Sequence, residues 1–250
     1  MDNPTTIALS RLVAQSRAMD VTANNLANAG TPGYKAERMV FADWLMREPN
    51  LPNVDALPPG GRVLAYTQDR ATYRETEIGA FTATANPLDL AIGSAGYFTV
   101  MTAGGPRLTR AGHFERAEDG KIVDGAGNPL LDVDGKPIVL TEADTQIGVA
   151  SNGVISSENG QIGQIGVVAP QDANRMRAEG SRLFASDSPT KAVADPQITQ
   201  GAVEESNVQP IREVVAMMTT LREFQFTSQF VQAEGDRQQS AIDKITQRNG

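Results

Sequence analysis

The run Asn24-Asn25-Leu26-Ala27-Asn28-Ala29-Gly30-Thr31-Pro32-Gly33-Tyr34-Lys35 reads as the end of a helix. Gly30 is suited to the left-handed conformation that closes a helix, and Pro32-Gly33 to a type II turn. The Asn24, Asn25 and Asn28 side chains can bond carbonyls that a helix end leaves unpaired. Upstream, Leu9, Leu12, Ser16, Met19, Ala23 and Leu26 recur at alternating steps of three and four. That spacing predicts an amphipathic helix with a heptad-like seam.

Downstream the pattern changes. Met39 to Met46, with Phe41 and Trp44, predicts a short helix. Pro49 to Gly61 is rich in Pro, Asn and Gly and predicts an exposed loop. Val63 to Tyr73 alternates weakly and predicts an extended strand. From Asn86 to about Pro189, short apolar runs are punctuated by Asp119-Gly120, Asp124-Gly125, Asp134-Gly135, Asn152-Gly153 and Asn159-Gly160. Such pairs tolerate the positive φ of tight hairpins, so this region predicts an antiparallel β domain. Leu88–Ile92 and Tyr97–Val100 are its first strands, around a Gly93–Gly96 turn.

Ser206-Asn207 and Pro210 mark the start of a second long helix, with Glu213 near the positive end of its dipole. Val214, Met217, Leu221, Phe224, Ser228, Val231, Ile242 and Ile245 fall on one seam. At about 100° per residue, Ile211, Val215, Met218, Phe226, Phe230 and Ala233 form a second apolar face. A helix apolar on two sides has to be covered on two sides. The expected partners are the chain's own first helix, along Leu9, Leu12, Met19 and Leu26, and a neighbouring copy.

Composition narrows the function classes. A chain of 250 residues with net charge −8 and no Lys/Arg run lacks the clustered positive field of a nucleic-acid binder. There is no cysteine, which excludes disulfides and thiolate metal sites. The first residues are not basic and precede an amphipathic stretch, so no cleavable signal is expected, and no stretch is apolar enough to suggest membrane insertion. With 23 glycines and 14 prolines, much of the chain must be turns.

Motifs that suggest chemistry fail on inspection. His113 is the single histidine and has no partner motif, so a structural or surface role is expected. Asp132-Val133-Asp134-Gly135 resembles part of a calcium loop, but Leu130 and Thr141 would stand at its first and last ligand positions. A hairpin turn is the better reading. Gly93-Ser94-Ala95-Gly96 lacks the spacing of a nucleophile elbow or a dinucleotide fingerprint. No cofactor, metal, catalytic site or small-molecule substrate is expected.

Three segments together resemble the flagellar rod and hook family. Asn24–Lys35 is similar to its N-terminal signature. Asn86-Pro87-Leu88-Asp89-Leu90-Ala91-Ile92, Gly96-Tyr97-Phe98 and Leu108–Phe114 resemble its central β domain. Gly201-Ala202-Val203-Glu204-Glu205-Ser206-Asn207-Val208 resembles its approach to the C-terminal helix. Ala29-Gly30 and Ser94-Ala95 are small departures. The shorter rod proteins lack the β domain and hook proteins carry an inserted one, which leaves the proximal and distal rod types. Asp2, the compact length and Pro210 favour the proximal type.

The resemblance implies an α+β chain whose N- and C-terminal helices form a coiled-coil-like polymerisation domain, with a central antiparallel β domain and an extended linker. The expected divisions are 1–35 (N-terminal helix and Asn-rich turn), 36–85 (linker), 86–195 (β domain) and 196–250 (return linker and C-terminal helix). It further implies a structural subunit of the basal-body rod across the periplasm, exported by the flagellar type III apparatus. Its partners would be other rod proteins and copies of itself, joined to transmit motor torque to the hook. The assembly positions are those named on the two helices, the Gly30–Gly33 turn and Ser206-Asn207-Val208. A distal rod protein and, from another class, a secreted wall-active enzyme or a monomeric binding module are the alternatives.

Overall fold

The computed structural model describes residues 3–47 and 63–248. Helix α1 spans Asn3–Ala27 and is followed by strands β1 (Glu37–Arg47), β2 (Val63–Arg74), β3 (Phe81–Ala83) and β4 (Leu90–Ile92). Next come β5 (Tyr97–Thr102), β6 (Gly105–Thr109), β7 (Phe114–Arg116), β8 (Ile122–Asp124), β9 (Gly148–Val149), β10 (Val154–Ser157) and β11 (Gly160–Gln164). The chain continues through β12 (Val167–Pro170), β13 (Met176–Glu179), β14 (Leu183–Ser186), β15 (Thr190–Ala192), β16 (Ile198–Gln200) and β17 (Ala202–Glu204) into helix α2 (Pro210–Arg248). The fold is α+β, with a helix at each end and an antiparallel β region between them.

Two units divide the chain: Met1–Leu26 with Glu37–Tyr73 and Gln209–Gly250, and Ala27–Ala36 with Arg74–Val208. In the first, β1 pairs with β2. The short helix expected over Met39–Met46 is therefore a strand. Polar residues at Arg38, Asp43 and Arg47 give that run a helix-like spacing, but a ladder with β2 satisfies its backbone, and the tertiary partner outweighs the local pattern. The strand expected over Val63–Tyr73 is present as β2. The loop expected over Pro49–Gly61 lies outside the described residues.

The second unit is built on a six-stranded antiparallel sheet in the order β13-β14-β6-β5-β12-β15. Side chains alternate across it, so neighbours in sequence enter different cores. Phe98 and Val100 join Phe114, Ile122, Leu130 and Ile165 in the main core, where the Phe98 and Phe114 rings meet edge to face at 5.3 Å. Tyr97 instead packs with Leu108, Met176 and Phe184 in a smaller cluster. Gly120, Gly135, Gly153 and Gly160 take positive φ, as the Asp-Gly and Asn-Gly pairs predict. In the fifth pair the job passes to Gly127, while Asp124 Oδ1 accepts the amides of Ala126 and Asn128. Asp132 Oδ1 likewise accepts the amides of Asp134 and Lys136, which makes that acidic run a hairpin turn.

Thr31–Tyr34 forms the expected type II turn: Tyr34 N–H donates to Thr31 O at 3.2 Å and Gly33 has φ +73°. The left-handed glycine is thus Gly33 and not Gly30. A side chain at Gly33 would also stand 2.4 Å from the Arg110 and Ala111 backbone, so two independent constraints require glycine there.

Candidate assembly site

The helical unit carries most of the residues singled out from the sequence. On α1, Ala8, Ala14, Gln15 and Asn25 are buried and Thr5, Ile7, Ser10, Leu12, Ala18, Met19, Val21, Thr22 and Leu26 half-buried, while Leu9, Ser16 and Ala23 are exposed. On α2, Glu213, Met217, Thr220, Phe224, Thr227, Ser228, Val231, Glu234 and Gln238 are the less exposed described positions, while Val214 and Leu221 are exposed. The α2 stripe keeps the alternation of three and four, with every other position shifted by one from the apolar seam, while the buried arc of α1 is broader. Leu12, Met19, Leu26, Met217, Phe224, Ser228 and Val231 belong to both versions. Ile242 and Ile245 have side chains outside the described set.

Polar contacts join the two helices. Gln15 Nε2 donates to Glu223 Oε2 at 3.3 Å, and Arg11 stands 3.8 Å from the same carboxylate. Further along, Asn25 Nδ2 donates to Glu213 Oε2 at 3.3 Å. These contacts run the two helices antiparallel. Asn25 is fully buried and also reads β1: its amide donates to Glu37 O and its carbonyl accepts from Glu37 N, both at 2.9 Å. Arg38 Nη1 completes the cluster, 2.6 Å from Glu213 Oε1. Buried polar groups of this kind fix register more than they add stability.

Polar residues inside leave apolar residues outside. Ile211 is 81% exposed and Phe226 76%, with Val215 and Met218 exposed on the same side of α2 and Phe230 on its flank. On α1, Leu9 and Val13 are exposed. A lone exposed apolar residue is ordinary, but a continuous row along a helix is the usual mark of a contact surface.

The β unit holds a second polar cluster that sequence reading did not single out. Glu204, at the end of β17, is fully buried, and Lys35 and Arg110 around it are nearly so. Lys35 Nζ donates to Glu204 Oε1 at 2.5 Å and to Glu77 O at 2.6 Å. Gly79 N–H donates to Glu204 Oε1 at 3.0 Å, and Arg110 Nη1 to Glu204 Oε2 at 3.1 Å. Arg110 also donates to the carbonyls of Ile92 and Ser94, and its guanidinium lies 5.4 Å from the centre of the Tyr97 ring. Burial pushes the Lys35 ammonium below the usual lysine range, with Glu204 pulling the other way. Burial likewise pushes the Tyr97 hydroxyl up.

Asn207 extends this cluster. Its Oδ1 accepts from Ala36 N at 2.7 Å, and its Nδ2 donates to Glu75 O at 3.1 Å and Glu77 O at 3.2 Å. Ser206 Oγ accepts from Val208 N, and Val208 is buried with Tyr34 and Ala36. In the turn, Thr31 Oγ1 donates to Asn28 Oδ1. His113 is 58% exposed and sits 2.7 Å from Asp89 Oδ1, which also accepts from Asn86 Nδ2.

Three family models match the chain in register with these features. The flagella basal body rod protein model matches residues 6–35, the D1 domain of flagellar hook protein FlgE/F/G matches 91–157, and the C-terminal region of flagellar basal body rod FlgEFG proteins matches 199–244. A flagellar basal-body rod protein FlgF of Caulobacter vibrioides is 32% identical over the full length of both chains. The chain belongs to the flagellar basal-body rod proteins. The FlgF of Rhizobium meliloti is also 32% identical, over 87% of each chain. A rod protein FlgG of Caulobacter vibrioides is 30% identical over 90% of this chain and 92% of its own. As a rod protein it has a structural role, and the cluster at Lys35, Arg110 and Glu204 draws one residue from each of the three segments that carry the family resemblance. None of its residues that are described forms a helix long and apolar enough to cross a membrane.

Proposed function

We propose that the chain is a proximal rod subunit of the FlgF type that polymerises through its terminal helices. The row of exposed apolar residues on α2, opposite an inward stripe in which polar and apolar residues are mixed, carries this reading. A helix pair that turns Gln15, Thr22, Thr220 and Thr227 inward cannot draw its stability from that seam alone. Its apolar residues are left to meet other subunits, in a coiled-coil-like packing. Leu12, Met19, Leu26, Met217, Phe224 and Val231 pair the helices of one chain. Leu9, Val214, Val215, Met218, Leu221, Phe226 and Phe230 meet neighbours in an inner tube made from 1–35 and 196–250. Asn24, Asn25, Asn28, the Gly30–Gly33 turn and Ser206-Asn207-Val208 set the helix ends.

In this role the subunit is exported by the flagellar type III apparatus and sits in the rod across the periplasm. It contacts copies of itself and other rod proteins and passes motor torque to the hook. The role requires no catalytic group, cofactor, nucleic acid or small molecule. The distal FlgG type is the second reading, favoured by the FlgG relative at 30% identity.

Phe226→Asp and Met218→Asp in the full chain test the interface. Both side chains are exposed, so the monomer's circular dichroism should be unchanged, while incorporation into purified basal bodies should be lost. Normal incorporation of both variants would remove the outward face from the model. Complementation separates the two types: motility restored in a strain lacking FlgG, and not in one lacking FlgF, would favour the distal assignment.

A further inference from the structure

The chain passes between the two units four times, after Leu26, Ala36, Tyr73 and Val208. In the β unit, the stretches that lead to the last three of these crossings meet at Glu204 and Asn207. Glu204 gathers Lys35 and the Gly79 amide through its carboxylate, and its backbone carbonyl accepts from Gly33 N at 2.8 Å. Asn207 ties the Ala36 amide to the carbonyls of Glu75 and Glu77. Every one of these partners belongs to the β unit.

We infer that Glu204 and Asn207 act as a clasp that closes residues 33–36, 75–79 and 204–208 onto the β unit independently of the helices. The rigid part of the subunit then begins at the Thr-Pro-Gly turn and ends at Val208. A carboxylate with no exposed surface needs its cations in place, because a stranded buried charge is far more costly than a stranded neutral group. The clasp is therefore either closed or open as a whole. Lys35 and Glu204 are 169 positions apart, so closure waits for almost the entire chain. The helices contribute none of the named contacts and can reorganise against neighbours without opening it. This holds whatever the helices pair with, and so does not rest on the rod assignment.

Amide hydrogen exchange on the full-length monomer tests the clasp, with Met19→Pro to break α1 and Glu204→Gln to open the clasp. In Met19→Pro, α1 amides should exchange about 100-fold faster while 33–36 keep their protection to within about threefold. In Glu204→Gln, 33–36 and 204–208 should lose protection together while Phe98–Val100 stay protected. Loss of protection at 33–36 along with α1 in Met19→Pro would overturn the inference, as would undiminished protection in Glu204→Gln. Should Glu204→Gln fail to fold, amine acetylation of wild type and Met19→Pro decides. Lys35 should react at least about tenfold more slowly than the exposed Lys136 and Lys191 in both. Equal rates in Met19→Pro would mean that the clasp opens with the helix.

Discussion

Charge balance in the buried cluster makes an asymmetric prediction about stability. Lys35, Arg110 and Glu204 together hold two cations and one anion, all nearly or fully buried. Glu204→Gln removes the only negative charge and strands both cations, which costs about 3–5 kcal/mol for a buried pair broken from one side. Lys35→Met loses a charge-assisted bond to Glu204 and one of the two donors to the Glu77 carbonyl, which keeps Asn207. It also removes a desolvated surplus cation and leaves Arg110 and Glu204 as a balanced pair, so the net loss is about 1–2 kcal/mol. At about 2–4 °C per kcal/mol for a chain of this size, Tm should fall by about 10 °C in Glu204→Gln and about 4 °C in Lys35→Met. The double variant should melt above Glu204→Gln alone, because a lone Arg110 still has the Ile92 and Ser94 carbonyls and the Tyr97 ring. Calorimetry on the purified monomers measures all three. If Lys35→Met proved as damaging as Glu204→Gln, the cluster would be working through lysine packing and not through charge balance, and the reasoning would fail.

Glu158 accepts from the Thr145 hydroxyl and amide, which lowers its pKa to about 2. A lowered carboxylate stabilises fully above its ordinary pKa and loses that contribution as pH falls through the folded value. Protection of the β10–β11 hairpin should thus persist at pH 4 and decay towards pH 2, and Glu158→Gln should abolish the step in hydrogen exchange; an unchanged profile refutes the assignment. Asn25→Leu keeps the branched outline with a somewhat larger side chain but removes three bonds to Glu37 and Glu213, and should lower helical content in the monomer and reduce rod incorporation, with wild-type behaviour in both assays counting against a register role. His113→Gln should leave motility and Tm close to wild type, since Asp89 retains Asn86 as a donor; lost motility in a folded, incorporated variant would reopen a chemical role for the histidine.

The two helices and the antiparallel β region were legible because each leaves a periodic trace in the sequence. Alternating steps of three and four mark α1 and α2, and Asp-Gly or Asn-Gly pairs mark the hairpins. Where two periods compete, the trace misleads. Arg38-Met39-Val40-Phe41-Ala42-Asp43-Trp44-Leu45-Met46-Arg47 satisfies a helical spacing nearly as well as a strand, and only the presence of β2 decides it. The turn after α1 shows a subtler failure. Gly30 and Gly33 are equally permissive in isolation, but only Gly33 lies against the Arg110–Ala111 backbone, a contact formed across 77 positions that no local signal records.

The buried cluster and the helix stripes likewise depend on tertiary partners that leave no local trace. An apolar seam read from sequence assumes that the most apolar side of a helix faces its nearest partner. Here the intrachain side carries Gln15, Thr22, Thr220 and Thr227 among Leu12, Met19, Leu26, Met217, Phe224 and Val231, while Leu9, Val215, Met218, Phe226 and Phe230 point away. That arrangement is what a subunit needs if its strongest contacts are to form between chains. A monomer with the apolar side sealed inward would be more stable alone and would have less to offer a neighbour. Lys35, Arg110 and Glu204 were hidden for the opposite reason. A lone Lys, Arg or Glu in a sequence is read as a solvated surface charge, which is correct for most such residues. Only the pairing of three distant segments removes water from all three at once. The family's three signature stretches are therefore legible separately as a turn, a strand and a helix approach, while the contact that unites them exists only in the folded chain.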